Sequence, residues 1–176
     1  MIRFLLNGGP AEIPDEENLT LLEYLRNIKC MKGTKEACGT GHCGACSVLV
    51  DGKLARACVT MLKRLEGRAV ETIENARTDA MLQVIQRAFL DVGAVQCGFC
   101  TPGMVISAKA LLDTNLNPSI NDIKRAIKSN ICRCTGYKKI EQAILLASKI
   151  FRGEADIEES DDSGMGAGMR RVDAVD

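Results

Sequence analysis

Three cysteines in one short, glycine-rich stretch have the spacing of metal ligands. Cys38, Cys43 and Cys46 form a C-x4-C-x2-C pattern, and Cys58 follows twelve positions later. This is the plant-type pattern of four thiolates around a [2Fe–2S] cluster. Glycines between the cysteines allow the backbone N–H groups to approach the sulfurs. The sequence therefore predicts a [2Fe–2S] site on these four thiols.

Disulfides and zinc are the alternative uses of such thiols. The nine cysteines are an odd number, and the chain opens with a strand-like segment rather than a targeting segment, which disfavours a disulfide framework. Zinc ribbons pair two C-x2-C motifs, whereas here Cys38 would be left over. His42 is the only histidine, so a Rieske centre is excluded, and we expect His42 to face solvent. Cys30 fits no ligand spacing and is expected to be a packing thiol.

A second set of thiols lies further along the chain. Cys97 and Cys100 form a C-x2-C, and Cys132 and Cys134 form a C-x-C. Each pair falls between two predicted helices, and an antiparallel bundle would bring both junctions to one end. The N-termini of the helices that follow would then stabilise a net negative cluster. Four thiolates again fit [2Fe–2S], although this set in isolation also fits zinc.

The elements around the first set have the pattern of a small mixed sheet crossed by one helix. Alternation predicts a hairpin over residues 2–13, and Thr20 with Glu23 forms a capping box for a helix. A second hairpin over residues 46–58, with its turn at Asp51-Gly52, returns the fourth ligand to the loop. The apolar face of the helix comprises Leu21, Leu22, Leu25 and Ile28.

The elements around the second set have the helical period of 3.6 residues. One helix begins after Asp79, and a second is expected to have Thr101 as its N-cap and Pro102 at its first position. A third is capped by Ser119, and a fourth runs from about Tyr137. Their apolar stripes predict a compact four-helix bundle.

The predicted fold class is therefore α+β. A β-grasp plant-type [2Fe–2S] ferredoxin domain is placed at residues 1–76, and an all-α four-helix [2Fe–2S] domain at residues 77–153. Residues 154–176 form an acidic, then glycine-rich tail without a core-forming pattern. Lys plus Arg and Asp plus Glu both number 23, so no basic field recruits nucleic acid. No apolar run approaches the ~18 residues of a membrane span, and the many thiols indicate a reducing cytoplasm.

Both cysteine sets together resemble those of the molybdenum hydroxylases, the xanthine dehydrogenase and aldehyde oxidoreductase family. The resemblance covers roughly residues 1–152, although Ala37 stands where the family usually has glycine. Residues 169–176 resemble the opening of the family's molybdenum-binding portion, so the chain is either a separate subunit or the front of a fused polypeptide. The matching strings are Gly33-Thr-Lys, Cys38–Val48, Gln96–Gly103 and Cys132–Tyr137.

The resemblance implies an oxidoreductase component without catalytic residues of its own. Two [2Fe–2S] clusters would relay electrons from a molybdopterin cofactor on a large partner subunit or domain to an FAD-binding subunit or an external acceptor. Gln96 and Cys134, at the matching positions, would contact the pterin. The holoenzyme would act on an aldehyde, a purine or another N-heterocycle. A free-standing ferredoxin and a zinc-stabilised interaction protein are the alternatives at this point.

Overall fold

A five-stranded mixed sheet forms the first half of the chain. The structure is a computed structural model, and it describes residues 1–14 and 18–155. The strand order is β2-β1-β5-β3-β4, in which β1 and β5 run parallel and the other neighbours run antiparallel. This sheet confirms the predicted mixed architecture. The strands are β1 (Ile2–Leu6), β2 (Gly9–Ile13), β3 (Ser47–Val50), β4 (Lys53–Arg56) and β5 (Ala69–Glu71).

One short helix crosses the sheet. Thr20 and Glu23 form the predicted capping box, and α1 (Leu21–Glu23) continues directly into a π-helical turn, Tyr24–Ile28. The wider π turn moves Ile28 off the apolar face, so Ile28 is 49% exposed where the sequence pattern placed it inside. Tyr24, which the pattern did not single out, is fully buried and its ring meets Phe4 edge to face.

The fourth predicted ligand of the first set lies on a 3-10 turn rather than on a strand. β4 ends at Arg56, and Cys58 belongs to the turn Ala57–Val59. The predicted strand over 53–58 is therefore too long at its end. The backbone N–H of Ala57 donates to the carbonyl of Cys46, and this bond turns the chain toward the cysteine loop. Two further 3-10 turns cover Leu62–Arg64 and Ile73–Arg77.

Four α-helices follow, as predicted. Asp79 and Ser119 cap α2 and α4 through their side chains. The N-cap of α3 is Cys100 rather than Thr101, so Thr101 is already helical and Pro102 occupies the second position. Proline fits there because the first-turn N–H groups have no partner within the helix. The bounds are α2 (Ala80–Asp91), α3 (Thr101–Leu112), α4 (Ile120–Ile127) and α5 (Lys138–Phe151).

β3 is buried along its whole length because it lies between two apolar cores. Val48 and Val50 pack with α1 and the rest of the sheet, whereas Leu49 points into the core of the helices. Because successive side chains of a strand point to opposite faces of the sheet, β3 contributes to both cores and joins the two halves of the chain. None of the described helices is long and apolar enough to cross a membrane. The expected tail, from residue 156 onward, lies outside the described residues.

Candidate iron–sulfur sites

The first three predicted ligands lie on an irregular loop that leads into β3. Gly39 and Gly41 adopt positive φ angles of 66° and 81°, which L side chains rarely adopt. The resulting turns direct two backbone N–H groups at the sulfur of Cys38, from Thr40 at 3.4 Å and from Cys43 at 3.5 Å. Such N–H groups stabilise a thiolate ligand.

The fourth ligand meets the third at the base of the loop. The sulfur atoms of Cys46 and Cys58 lie 3.3 Å apart. Cys46 is buried, and its burial raises the pKa of its thiol to about 11. Cys38 is exposed, and hydrogen bonds from Thr40 and Cys43 lower its pKa to about 5. The quartet therefore spans from the protein interior to the surface.

The second set also comes together, as the antiparallel bundle predicted. Cys97 and Cys134, which lie on different helix junctions, have their sulfurs 3.7 Å apart and are both exposed. Cys100 and Cys132 form the inner pair, where burial and then the neighbouring Cys132 thiol raise the pKa of Cys100 to about 12. The hydroxyl of Thr135 lies 3.1 Å from the sulfur of Cys132.

The donor chemistry of both quartets fits a binuclear cluster. All nine cysteines are free thiols, and the pair distances of 3.3 and 3.7 Å far exceed the ~2.05 Å of a disulfide. Two sulfurs bound to one tetrahedral metal at ~2.3 Å lie about 3.7 Å apart. Within residues 1–14 and 18–155, no group of three or more His, Cys, Asp or Glu side chains is arranged to hold a single metal ion. A [2Fe–2S] cluster has a different requirement, because each of its two irons takes two thiolates.

Three other residues were singled out by the sequence analysis. His42 is exposed as expected, with its Nδ1 atom 3.1 Å from the Thr40 hydroxyl. Cys30 is exposed and has a φ of 55°, so the prediction of a packing thiol is wrong. The π-helical turn ends just before it and leaves the chain on the surface. Gln96 is exposed and directly precedes Cys97.

The two cysteine-rich regions touch through their backbones. A Cβ atom added to Gly103, in the first turn of α3, would lie 2.3 Å from the carbonyl oxygen of Gly44, and one added to Gly44 would lie 2.5 Å from that of Ser129. The N–H of Ile131 donates to the carbonyl of Cys43 at 2.9 Å. Sequence reasoning missed this contact. The only feature of the sequence that could have indicated this contact is the presence of Gly44 and Gly103, one in each cysteine-rich string.

Comparisons with known proteins identify two [2Fe–2S]-binding regions. A profile described as a 2Fe-2S iron-sulfur cluster binding domain matches residues 10–87, and one described as a [2Fe-2S] binding domain matches residues 72–145. The chain is 45% identical to a probable xanthine dehydrogenase subunit of Bacillus subtilis, over 77% of this chain and 78% of that one. It is 41% identical to the nicotinate dehydrogenase small FeS subunit of Eubacterium barkeri, over 83% and 93%.

Solved structures show the same fold. The aldehyde oxidoreductase of Desulfovibrio desulfuricans superposes with a TM-score of 0.83 at 40% identity, over 90% of this chain and 18% of that one. Quinoline 2-oxidoreductase from Pseudomonas putida superposes with a TM-score of 0.76 at 36% identity, over 88% of this chain and 97% of the matched chain. The chain thus corresponds to a small part of the first protein and to nearly all of the matched chain of the second.

Proposed function

Because this chain belongs to the iron–sulfur subunits of the molybdenum hydroxylase family, we propose that it carries electrons away from a molybdopterin site on a larger partner. The family relation gives it two [2Fe–2S] clusters and a place in an oxidoreductase. The observation that supports the proposal best is the pair of thiol quartets, which meet at the backbone contact of Cys43 with Ile131 and each include an exposed thiol.

We assign the ligands residue by residue. The front cluster is held by Cys38, Cys43, Cys46 and Cys58. The rear cluster is held by Cys97, Cys100, Cys132 and Cys134. Each [2Fe–2S] cluster takes up and releases one electron at a time. The short sulfur distances support a cluster in which Cys46 and Cys58 would bind one iron, and likewise Cys97 and Cys134.

The exposed ligands support a relay that is open at two ends, and the family relation supports its direction. At the rear, Gln96, Cys97 and Cys134 are exposed, and this surface faces the partner's pterin. At the front, Cys38 is exposed and faces the acceptor. Between them, Gly44 is buried at the contact between the two regions. Exposed thiols thus lie on both quartets, and a buried glycine lies between them.

The partner assignments follow from the relatives. A larger molybdenum-binding subunit or domain holds the pterin, since the chain spans only 18% of the aldehyde oxidoreductase chain and most of several small subunits. An FAD-binding subunit or an external carrier accepts the electrons at the Cys38 end. The nine free thiols favour a reducing cytoplasm.

The experiment is a Cys134→Ala variant in the native complex, compared with Cys30→Ala. Cys134→Ala is expected to leave the visible spectrum of the front cluster intact and to abolish its reduction by substrate. Cys30→Ala is expected to behave as wild type. Unchanged substrate-driven reduction in Cys134→Ala would overturn the proposed relay. A small monomer in gel filtration of native extract would favour a free-standing ferredoxin, and a colourless protein without iron would favour a zinc-stabilised one.

A further inference from the structure

Asn130 is a buried polar residue between the two cysteine-rich regions, and it is 2% exposed. Its Nδ2 atom donates to the carbonyl of Gly44 at 3.1 Å and lies 3.3 Å from the hydroxyl of Ser47. Its Oδ1 atom accepts from the hydroxyl of Ser107, on α3, at 2.9 Å. One amide therefore bonds to the front cysteine loop, to the start of β3 and to the helical half.

The backbone of Asn130 is tied to the rear ligands. Its carbonyl accepts a hydrogen bond of 3.1 Å from the hydroxyl of Tyr137, and the oxygen of that hydroxyl accepts one of 2.9 Å from the N–H of Cys132. The next residue, Ile131, donates to the carbonyl of Cys43. The same short segment thus holds a ligand of the rear quartet and contacts a ligand of the front quartet.

The contact around this amide has little room for adjustment. A Cβ atom added to Gly44 would lie 2.7 Å from the Cγ and Nδ2 atoms of Asn130, as well as 2.5 Å from the carbonyl of Ser129. Backbone therefore packs directly on backbone. Arg56 also reaches across, but its longer bond to the Ser129 carbonyl, at 3.5 Å, lies in an exposed position. Directional hydrogen bonds of a buried amide fix a geometry that apolar packing alone would leave adjustable.

We propose that Asn130 is a positioning residue, whose amide sets the separation and relative orientation of the front and rear clusters. This inference rests on the proposed function, because it assumes that both quartets hold [2Fe–2S]. Electron exchange between two centres falls steeply with their separation. A residue that fixes the separation therefore controls the rate of the relay without touching substrate or pterin.

The test compares Asn130→Ala with wild type in the dithionite-reduced full chain. Electron paramagnetic resonance measures the dipolar splitting between the two reduced clusters, which falls with the inverse cube of their separation. Hydrogen exchange measures the protection of the Ile131 amide. Asn121→Ala, at an exposed position of α4, is the matched control, and Ser107→Ala removes a single bond of the same amide.

We expect Asn130→Ala to keep the iron content and the individual g values of wild type, to change the dipolar splitting measurably and to exchange the Ile131 amide faster. Ser107→Ala should show both changes to a lesser degree, and Asn121→Ala should show neither. An unchanged splitting in Asn130→Ala would overturn the proposal while leaving the proposed function intact. Loss of iron from Asn130→Ala would also overturn the proposal, since Asn130 would then be needed to retain a cluster rather than to set the distance between the two clusters. A wild-type chain with one cluster would overturn the proposed function itself.

Discussion

The backbone N–H of Ile131 donates a 2.9 Å hydrogen bond to the carbonyl oxygen of Cys43. Ile131 directly precedes Cys132, so a path of covalent bonds runs from one quartet to the other with a single hydrogen bond in it. The close approach of Gly103 to Gly44 allows this bond to form. This contact between the two halves of the chain thus lies at Cys43 and beside Cys132, two of the predicted ligands.

The front quartet can be tested by removing its buried thiol. Cys46→Ala is expected to lower the iron content from about four to about two per chain, because the remaining front thiols cannot complete the coordination of a [2Fe–2S] cluster. Iron quantification with absorbance of the purified chain measures this loss. Cys30→Ala, at an exposed thiol outside both quartets, is the control. Full iron content in Cys46→Ala would remove Cys46 from the ligand set.

Gly44 and Gly39 separate the effect of backbone conformation from that of close packing. Both have positive φ angles, 75° and 66°, but only Gly44 of the two lacks space for a Cβ atom. Gly39→Ala should lose about 1–2 kcal/mol from the left-handed conformation alone. Gly44→Ala should lose this and a further ~1–3 kcal/mol from the clash.

Thermal unfolding midpoints of the two glycine variants measure the difference, at about 2–4 °C for each kcal/mol in a chain of this size. The difference between wild type and Gly39→Ala gives the cost of the backbone conformation, and the difference between Gly39→Ala and Gly44→Ala gives the cost of the clash. Equal midpoints for Gly39→Ala and Gly44→Ala would show that the two halves do not pack at Gly44 as described.

Tyr137 and Tyr24 are a matched pair of tyrosines. The Tyr137 hydroxyl bridges the N–H of Cys132 and the carbonyl of Asn130, so Tyr137→Phe should cost about 0.5–1.5 kcal/mol by leaving these half-buried groups unpaired. It should also shift the g values of the rear cluster only. The buried Tyr24 hydroxyl has no partner among the described residues, so Tyr24→Phe should be neutral or stabilising. A larger loss in Tyr24→Phe than in Tyr137→Phe would contradict this interpretation.

Lys109 is a buried cation that joins α3 to the rest of the chain. Its Nζ atom lies 2.9 Å from Asp113, 3.1 Å from Asp79 and 3.7 Å from Glu71, and its side chain is 8% exposed. Lys109→Met is expected to lower the free energy of unfolding by about 2–3 kcal/mol, somewhat less than for a fully buried pair because the carboxylates are partly solvated. Lys124→Met, at an exposed position of α4, should leave it unchanged.

The stabilisation by Lys109 should decline at alkaline pH. Burial lowers the pKa of Lys109, but Asp113 and Asp79 more than offset this and raise it overall. The stabilisation is therefore complete below the ordinary lysine pKa of about 10.4 and is lost as the pH rises through the higher folded value. The unfolding free energies of wild type and Lys109→Met, measured by denaturation, should converge in this alkaline range. If the difference in unfolding free energy between wild type and Lys109→Met grew in this range, the pKa of Lys109 would be lowered by folding, which contradicts the interpretation.

Local patterns predicted the elements well, and contacts between distant residues were beyond their reach. The predicted capping box of Thr20 and the predicted cap at Ser119 each depend on four consecutive residues, and the structure contains both. The predicted burial of Ile28 was wrong because a π-helical turn changes the periodicity after Glu23. Cys58 was placed on a strand because its turn depends on a bond to Cys46, which the local sequence does not contain.

The sequence predicted some features of the sites and missed others. The convergence of Cys97 with Cys134 followed from two helix junctions at one end of an antiparallel bundle, and the structure brings them together. The roles of Asn130 and Lys109 did not follow, because an isolated Asn or Lys is ordinarily exposed. The domain limits at residues 76 and 153, the individual ligand assignments and the pterin contact of Gln96 stay predictions.

Iron quantification combined with electron paramagnetic resonance of the dithionite-reduced chain is the most direct measurement of the central claim. Eight thiols divided into two binuclear sites predict about four irons per chain and two distinct S = 1/2 signals. A single signal with about two irons, or a rear quartet that holds a redox-silent metal such as zinc, would contradict the relay and with it the link to a molybdenum partner.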